Sequence, residues 1–266
     1  MLASMTSAPS SQQVAGGQQG QTPRTLAIDI GGTAIKASVL DASGSMLADR
    51  VAQPTPYPCP PEALVGAMTA LVEQLPPYER VSVGFPGVVR GGKVLSAPEF
   101  VSVGGLGTAV DPDLLHAWAD YDLAGAVRQT LGRPTRVAND ADVQGFAVIA
   151  GTGLELVITL GTSVGTGLFE NGRLAPHMEF AHHPLHDNET YFEQLGEAAR
   201  KRLSPEDWNL RVKRAVDTLD ALFFFDHVYI GGGNSSRVTI DLGPKASIVD
   251  NAAGILGGIR LWDQDE

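Results

Sequence analysis

Residues 26 to 40 read Leu26-Ala-Ile-Asp-Ile-Gly-Gly-Thr-Ala-Ile-Lys-Ala-Ser-Val-Leu40, two apolar runs joined through Gly31, Gly32 and Thr33. Both runs have the length and composition of strands, so the glycines form the tip of a hairpin and do not open a helix. A turn without Cβ atoms lets backbone N–H groups come close to an anion, which makes it a phosphate cradle. Thr33 adds a hydroxyl and Lys36 a cation, while Asp29 ends the first strand with a carboxylate for a metal that accompanies the phosphates. Taken alone, the stretch is also readable as a tight turn with an acidic strand end.

The same pattern recurs downstream. Leu154 to Leu160 is an apolar run broken only by Glu155 and Thr159; Gly161-Thr162-Ser163, a second run from Val164 to Phe169 and the hairpin dipeptide Asn171-Gly172 follow. Two such turns in one chain can face each other across a cleft and grip one polyphosphate. Between them, Met46 to Ala52 reads as a strand, and a proline-rich connector leads into a helix over Leu64 to Leu75 that Pro76 and Pro77 stop. Val81 to Phe85 is a strand running into Pro86-Gly87, and Gly91 to Asp113 reads as loops over the cleft. A helix over Leu123 to Leu131 with Gly132 as its cap precedes a strand from Thr135 to Ala138, which ends at Asn139 and Asp140. Beyond Ser163 come a helix patterned by Trp208, Val212, Ala215, Val216, Leu219 and Leu222, a strand from His227 into Gly231-Gly232-Gly233, and a last helix from Asn251. This alternation predicts an α/β protein.

At 266 residues the chain supports one large or two small domains with full cores. Its first 22 residues are rich in Ser, Gln and Gly and read as a disordered tail. A net charge of -11 argues against nucleic acid or an anionic membrane as main partner. Cys59 is the single cysteine, so no intrachain disulfide forms, and no apolar run is long enough to span a bilayer. The expectation is a soluble cytoplasmic protein.

Several motifs have rival readings. Gly87 to Lys93 has P-loop spacing, but Val94 stands where a hydroxyl should bind magnesium, and the flank reads as strand. Gly161-Thr162-Ser163-Val164-Gly165 matches a nucleophile elbow, yet a strand follows Ser163 where that motif needs a helix. A serine hydrolase is therefore a minor alternative. Asp140 reads by itself as a helix N-cap; beside a phosphate grip, a carboxylate is the group that takes a hydroxyl proton. Glu179 and His182 are spaced to hydrogen-bond adjacent sugar hydroxyls. The histidines at 177, 182, 183 and 186 have no cysteine nearby, which argues for a polar loop with surface histidines over a zinc site. Arg200, Lys201, Arg202, Arg211, Lys213 and Arg214 crowd one window of an acidic chain, either as a track for a long polyanion or as a solvated helix face.

Six motifs in order resemble the ROK family of sugar kinases, and its polyphosphate glucokinase branch most: Asp29-Ile-Gly-Gly-Thr-Ala-Ile-Lys36, Gly84-Phe-Pro-Gly87, Asn139-Asp140-Ala141-Asp142, Leu160-Gly-Thr-Ser-Val-Gly165, Glu179-Phe-Ala-His182 and Gly231-Gly-Gly-Asn234. The resemblance covers residue 24 onward. It implies an actin-like, ribonuclease H-like fold: a small α/β domain over 23–137, with the C-terminal helix 251–266 packed back on it, and a large α/β domain over 138–250, flanking a cleft. It makes Asp140 the base for the 6-hydroxyl of glucose, and Asn139, Glu179 and His182 sugar ligands. Glu99 stands where relatives place a sugar-touching Asn. Asp29, Gly31, Gly32 and Thr33, with Lys36, become the first phosphate site and Gly161, Thr162 and Ser163 the second. Mg2+ lies at Asp29. Gly231, Gly232, Gly233 and Asn234 lie where nucleotide-using relatives hold adenosine, and Arg211 and Arg214 would guide polyphosphate. Partners implied are glucose, inorganic polyphosphate or ATP, and a second copy in a homodimer. ROK repressors are the non-catalytic alternative; they carry an added DNA-binding segment longer than the 22-residue tail here.

Overall fold

The computed structural model describes residues 23–249 and 255–264, so the tail read at 1–22, the start of the last helix at 251–254 and residues 265–266 lie outside the described residues. β1 (Thr25–Ile30) pairs antiparallel with β2 (Ala34–Leu40), and β2 with β3 (Val51–Pro54). After α1 (Pro61–Val72), β4 (Arg80–Phe85) lies parallel to β1. A small hairpin of β5 (Val89–Arg90) and β6 (Lys93–Val94), then α2 (Pro112–Trp118) and α3 (Leu123–Leu131), lead to β7 (Thr135–Asn139), which is parallel to β4. The order of this sheet is β3-β2-β1-β4-β7.

The short helix α4 (Asp140–Phe146) carries the chain into the second sheet. There β8 (Leu154–Leu160), β9 (Val164–Glu170) and β10 (Arg173–Leu174) form an antiparallel meander. The hairpin β11 (Pro184–His186) and β12 (Glu189–Thr190) precedes α5 (Tyr191–Leu195), α6 (Glu197–Arg202) and α7 (Pro205–Phe223), and β13 (His227–Gly231) and β14 (Ala246–Ile248) complete the sheet in parallel. Its order, β10-β9-β8-β13-β14, repeats that of the first sheet. Each half is thus a three-stranded meander followed by two parallel strands. The repeated turns noted in the sequence are the matching first hairpins of the two halves.

Sequence and burial explain the layers. β1 is packed on both faces: Leu26, Ile28 and Ile30 join the core with α1 and α3, while Ala27 on the other face packs with Leu40 and with Ile255 and Ile259 of the C-terminal segment. Phe85, Phe100 and Trp118 cluster beneath the first sheet, and the indole N–H of Trp118 donates to the Cys59 carbonyl at 2.9 Å. In the second half, Trp208, Val212, Ala215, Val216 and Leu219 are the buried stripe of α7, as the helical spacing predicts, while Leu222, read as part of it, is exposed near the end of the helix. Val143 and Phe146 of α4 pack with Phe169 and Leu261 in a core shared by the two halves. No helix among the described residues is long and apolar enough to cross a membrane.

Some local expectations change. The strand read at Met46–Ala52 is instead β3 at Val51–Pro54; Met46 makes only an isolated bridge to Leu40. Asp41 is the cause: its carboxylate accepts from the Ser43 and Ser45 N–H groups and holds the chain in a turn. Within Gly91–Asp113, read as loops, lie β6 and the start of α2, which Asp111 caps by accepting from Asp113 and Leu114 N–H. The described part of the last helix, Leu256–Asp263, is a 3-10 helix packed on α4, β1 and β4. A Cβ at Gly257 would collide with the Val143 carbonyl, so close packing on α4 requires glycine there.

Candidate active site

A cleft of about 270 Å3 lies between the two sheets. Its walls include Asp29, Gly31, Gly32, Thr33, Lys36, Glu99, Asn139, Asp140, Gly161, Thr162, Ser163, Glu179, His182, Gly232 and Gly233, so the fold brings most of the sequence-predicted site together. Gly231 is buried at the end of β13 and Asn234 stands behind the second turn; neither lines the cleft. Arg211 and Arg214 lie on α7, away from it.

The two turns present amides for a shared reason. In the first, Gly31 N–H donates to the Ala34 carbonyl at 3.0 Å. The carbonyls of Gly31, Gly32 and Thr33 are taken by the Thr55 hydroxyl at 2.6 Å, the Tyr57 hydroxyl at 2.8 Å and the Thr55 N–H at 3.1 Å. In the second, Gly161 N–H donates to the Ser163 carbonyl at 3.0 Å, Glu197 N–H to Thr162 at 3.3 Å and the Asn234 side chain to Gly161 at 3.4 Å. With the carbonyls tied back, the next N–H groups, those of Gly32 and Thr33 and of Thr162 and Ser163, have no protein acceptor among the described residues. Such paired amides are an anion nest. Thr159, which interrupts the apolar β8, accepts from Gly165 N–H through its hydroxyl at 3.2 Å and braces the second turn.

Between the turns stands Asp140, the first residue of α4. The cap is not Asp140 but Asn139, whose Oδ1 accepts from Ala141 N–H at 2.8 Å while its Nδ2 donates to the Gly87 carbonyl at 3.0 Å. Asn139 is therefore fixed at both ends and keeps one amide N–H for a ligand. Burial, and next the negative charge of Asp29, push the Asp140 carboxyl up to about 8. Burial likewise raises Asp29, against the opposing charges of Lys36 and Arg50; Lys36 Nζ is 4.0 Å from Asp29 Oδ2. Glu99 lies against Gly32, where a Cβ would meet its carboxylate, and burial raises it too. The cleft is thus a set of crowded carboxylates facing two amide nests.

This donor set fits Mg2+. Asp29 would supply one hard oxygen ligand beside an amide nest, and magnesium is held by one or two carboxylates with phosphate and water completing the shell. Among the described residues no group of three His, Cys, Asp or Glu side chains is placed to hold a metal ion.

The histidines divide. His182 lines the cleft, and His183 packs against Phe180 and Tyr191. His177, read as a surface residue, is buried and its Nδ1 lies 3.0 Å from Asp142 Oδ2. Burial works against a charge on Glu179, but the neighbouring His177 and the hydrogen bond from Ala181 N–H outweigh it and hold the carboxyl below the usual carboxylate range. Arg50, Gln144 and Thr159 also line the cleft, and sequence reading missed them as site residues. Arg50 sits in irregular chain just before an edge strand with no motif around it; Gln144 is one helical turn after Asp140, a signal that could have been used. The basic window on α6 and α7 is largely neutralised: Arg200 and Lys201 pair with Glu197, Arg202 and Arg211 with Glu189, and Lys213 with Asp217.

Two halves of repeated topology, each offering an amide nest to one cleft with a carboxylate between, define a phosphotransferase of the actin-like class. The ROK family model matches residues 25–190, and the chain belongs to the ROK family. It is 29% identical over 261 residues to a polyphosphate glucokinase of Mycobacterium leprae (strain TN), covering 91% of this chain and 75% of that one. An N-acetylmannosamine kinase of Escherichia coli (strain SE11) is 35% identical over 155 residues, 56% of this chain and 48% of that protein. Among solved structures, the inorganic polyphosphate/ATP-glucomannokinase from Arthrobacter sp. strain KM superposes with a TM-score of 0.74 at 31% identity, covering 90% of this chain and 97% of the other. These relatives are sugar kinases, and the fold is the one they share.

Proposed function

We propose that this protein transfers the terminal phosphoryl group of inorganic polyphosphate, and also of ATP, to the 6-hydroxyl of glucose. The observation that carries the reading is Asp140, set at the head of α4 between two amide nests with its carboxyl pushed up to about 8. A carboxylate of raised basicity is suited to take a hydroxyl proton, and most of the remaining rate comes from positioning and charge neutralisation. The nests at Gly31-Gly32-Thr33 and Gly161-Thr162-Ser163 hold the donor phosphates, with Lys36 and Arg50 as the cations in reach. Asn139, Glu179, His182 and Glu99 orient the sugar so that its hydroxyl meets both Asp140 and the donor. Mg2+ held at Asp29, when bound, neutralises phosphate charge. Gly232, Gly233 and Asn234 edge the place an adenosine would take, behind the buried Gly231. We include in this reading a homodimer working in the cytoplasm.

A second reading, an ATP-dependent hexokinase for mannose or an amino sugar, draws on Glu99, whose carboxylate on the cleft wall changes which hydroxyls are recognised. The test is sugar phosphate formation with polyphosphate and with ATP in parallel, magnesium present, across glucose, mannose and N-acetylmannosamine. Asp140→Asn should cut turnover by about 10²–10⁴-fold and leave sugar binding intact. Unimpaired turnover in that variant refutes the base assignment, and turnover with ATP alone refutes the donor.

A further inference from the structure

Asp142 follows the proposed base by two residues on α4, and its side chain is 1% exposed. Its ionic partner is His177, whose ring is 4% exposed. The other ring nitrogen, Nε2, has no hydrogen-bond partner; the group it faces is Glu179 Oε2 at 3.9 Å. The second oxygen of Glu179 accepts from Ala181 N–H at 3.2 Å. One imidazole therefore stands between two carboxylates, one on the helix that carries Asp140 and one on the loop that lines the sugar side of the cleft.

We propose that His177 is a positioning residue: anchored by Asp142, its imidazolium fixes the Glu179 carboxylate for the acceptor sugar and ties that loop to the catalytic helix. The proposal rests on the reading of Glu179 as a sugar ligand given above. Its geometry is that of an ion pair without a hydrogen bond on the Glu179 side. The Oε2 lone pairs consequently stay available to sugar hydroxyls, while the charge sets the direction of the carboxylate.

The proton on Nε2 is the sensitive part. Burial opposes a charge on His177, but the hydrogen bond with Asp142 and the negative charges of Asp142 and Glu179 outweigh it and hold the ring up to about 9. When that proton leaves, Nδ1–H still donates to Asp142, and Nε2 turns a lone pair toward Glu179. Attraction becomes repulsion. On the cleft side, Asp140 and His182 act on the same carboxylates, and across the cavity that His177 lines on its other side stand the guanidinium groups of Arg90, Arg128, Arg136 and Arg173 and the carboxylate of Asp122, which caps α3. Guanidinium groups hold their charge throughout this range.

The experiment is sugar affinity by calorimetry on the full chain without donor, for wild type, E179Q, H177Q, D142N and H177Q/E179Q. Expected are losses of about tenfold in each single variant, with the double variant little worse than E179Q, because the two residues act as one unit. Sugar affinity of wild type should hold through neutral pH and weaken above about 9, and H177Q should lack that step. At saturating sugar, H177Q should keep kcat within about threefold, since the reacting atoms are untouched. Normal affinity in E179Q overturns the sugar-ligand reading itself. Weak binding in E179Q with normal binding in H177Q, or additive losses, overturns the role of His177 alone. Should H177Q not fold, a flat wild-type profile from pH 7 to 10 is sufficient to overturn it.

Discussion

Replacing Asp140 by Asn should cut turnover by about 10²–10⁴-fold and at the same time stabilise the fold in a pH-dependent way. The isostere keeps the contact that Asp140 Oδ1 accepts from Ala141 N–H at 2.9 Å, so what changes is ionisation. An unfolded chain ionises this carboxyl near 3.8, the folded chain only near about 8. Between those values the native state binds more protons than the unfolded state, so wild-type stability falls as pH rises, most of it between pH 5 and 8. A gap of roughly four pH units at about 1.4 kcal/mol each gives a ceiling of about 6 kcal/mol. Water in an open cleft and local relaxation screen much of that, leaving about 2–3 kcal/mol as the expected gain of the variant at pH 8.5. In a domain of this size that is a rise of about 4–10 °C in Tm. The assay is urea or thermal unfolding of both proteins at pH 5 and 8.5, without sugar, donor or magnesium. Titrating groups remote from the cleft are common to the two and cancel, while Asp29, Asp142 and Glu179, which interact with the Asp140 charge, belong to the measured difference. Parallel stability curves across this range would refute the claim that Asp140 is held neutral by its surroundings, and with it the physical basis for its basicity.

Other consequences are more local. Gly232 has φ +86°, and a Cβ there would run into the Leu160 backbone, so Gly232→Ala should displace the second nest and raise the donor KM by about tenfold or more, with sugar affinity unchanged. A calorimetric sugar titration beside donor kinetics separates the two. Buried Asn209 donates to the Pro205 and Arg237 carbonyls and accepts from Thr239 and Ile240 N–H, tying α7 to the segment after β13. Asn209→Ala should therefore cost about 2–4 kcal/mol in urea unfolding, and a loss below 1 kcal/mol would mean the segment does not depend on it. Reversing Arg211 and Arg214 together should weaken use of long polyphosphate, with steep salt dependence, and leave ATP untouched, because only a donor that extends beyond the cleft can reach α7. Equal loss with both donors would assign the effect to folding.

What the sequence made legible was local. The strand–glycine turn–strand units at 26–40 and 154–169, the cap at Gly132 with φ +64° and the Asn171-Gly172 hairpin with positive φ at both positions are each decided within a few residues, and each stands as read. What was obscure depends on partners far along the chain. His177 carries no local mark of burial, and its role is set by Asp142, 35 residues away. Glu155 reads as a flaw in an apolar strand; its carboxylate accepts from Ala150, Gly151 and Thr152 N–H and from the Tyr229 hydroxyl, closing the loop before β8. The same holds for the two glycine turns, where the motif supplies only permission for close approach. The nest exists because Thr55 and Tyr57, 24 and 25 residues on, hold the carbonyls of the first turn, and because Asn234, 73 residues on, holds that of the second. A carbonyl left loose could turn toward the anion and cancel the field of the amides. In the proposed function, phosphate binding is therefore encoded at Tyr57 and Asn234 as much as at Gly31 and Gly161, and a turn transplanted without them should keep its shape and lose its charge preference.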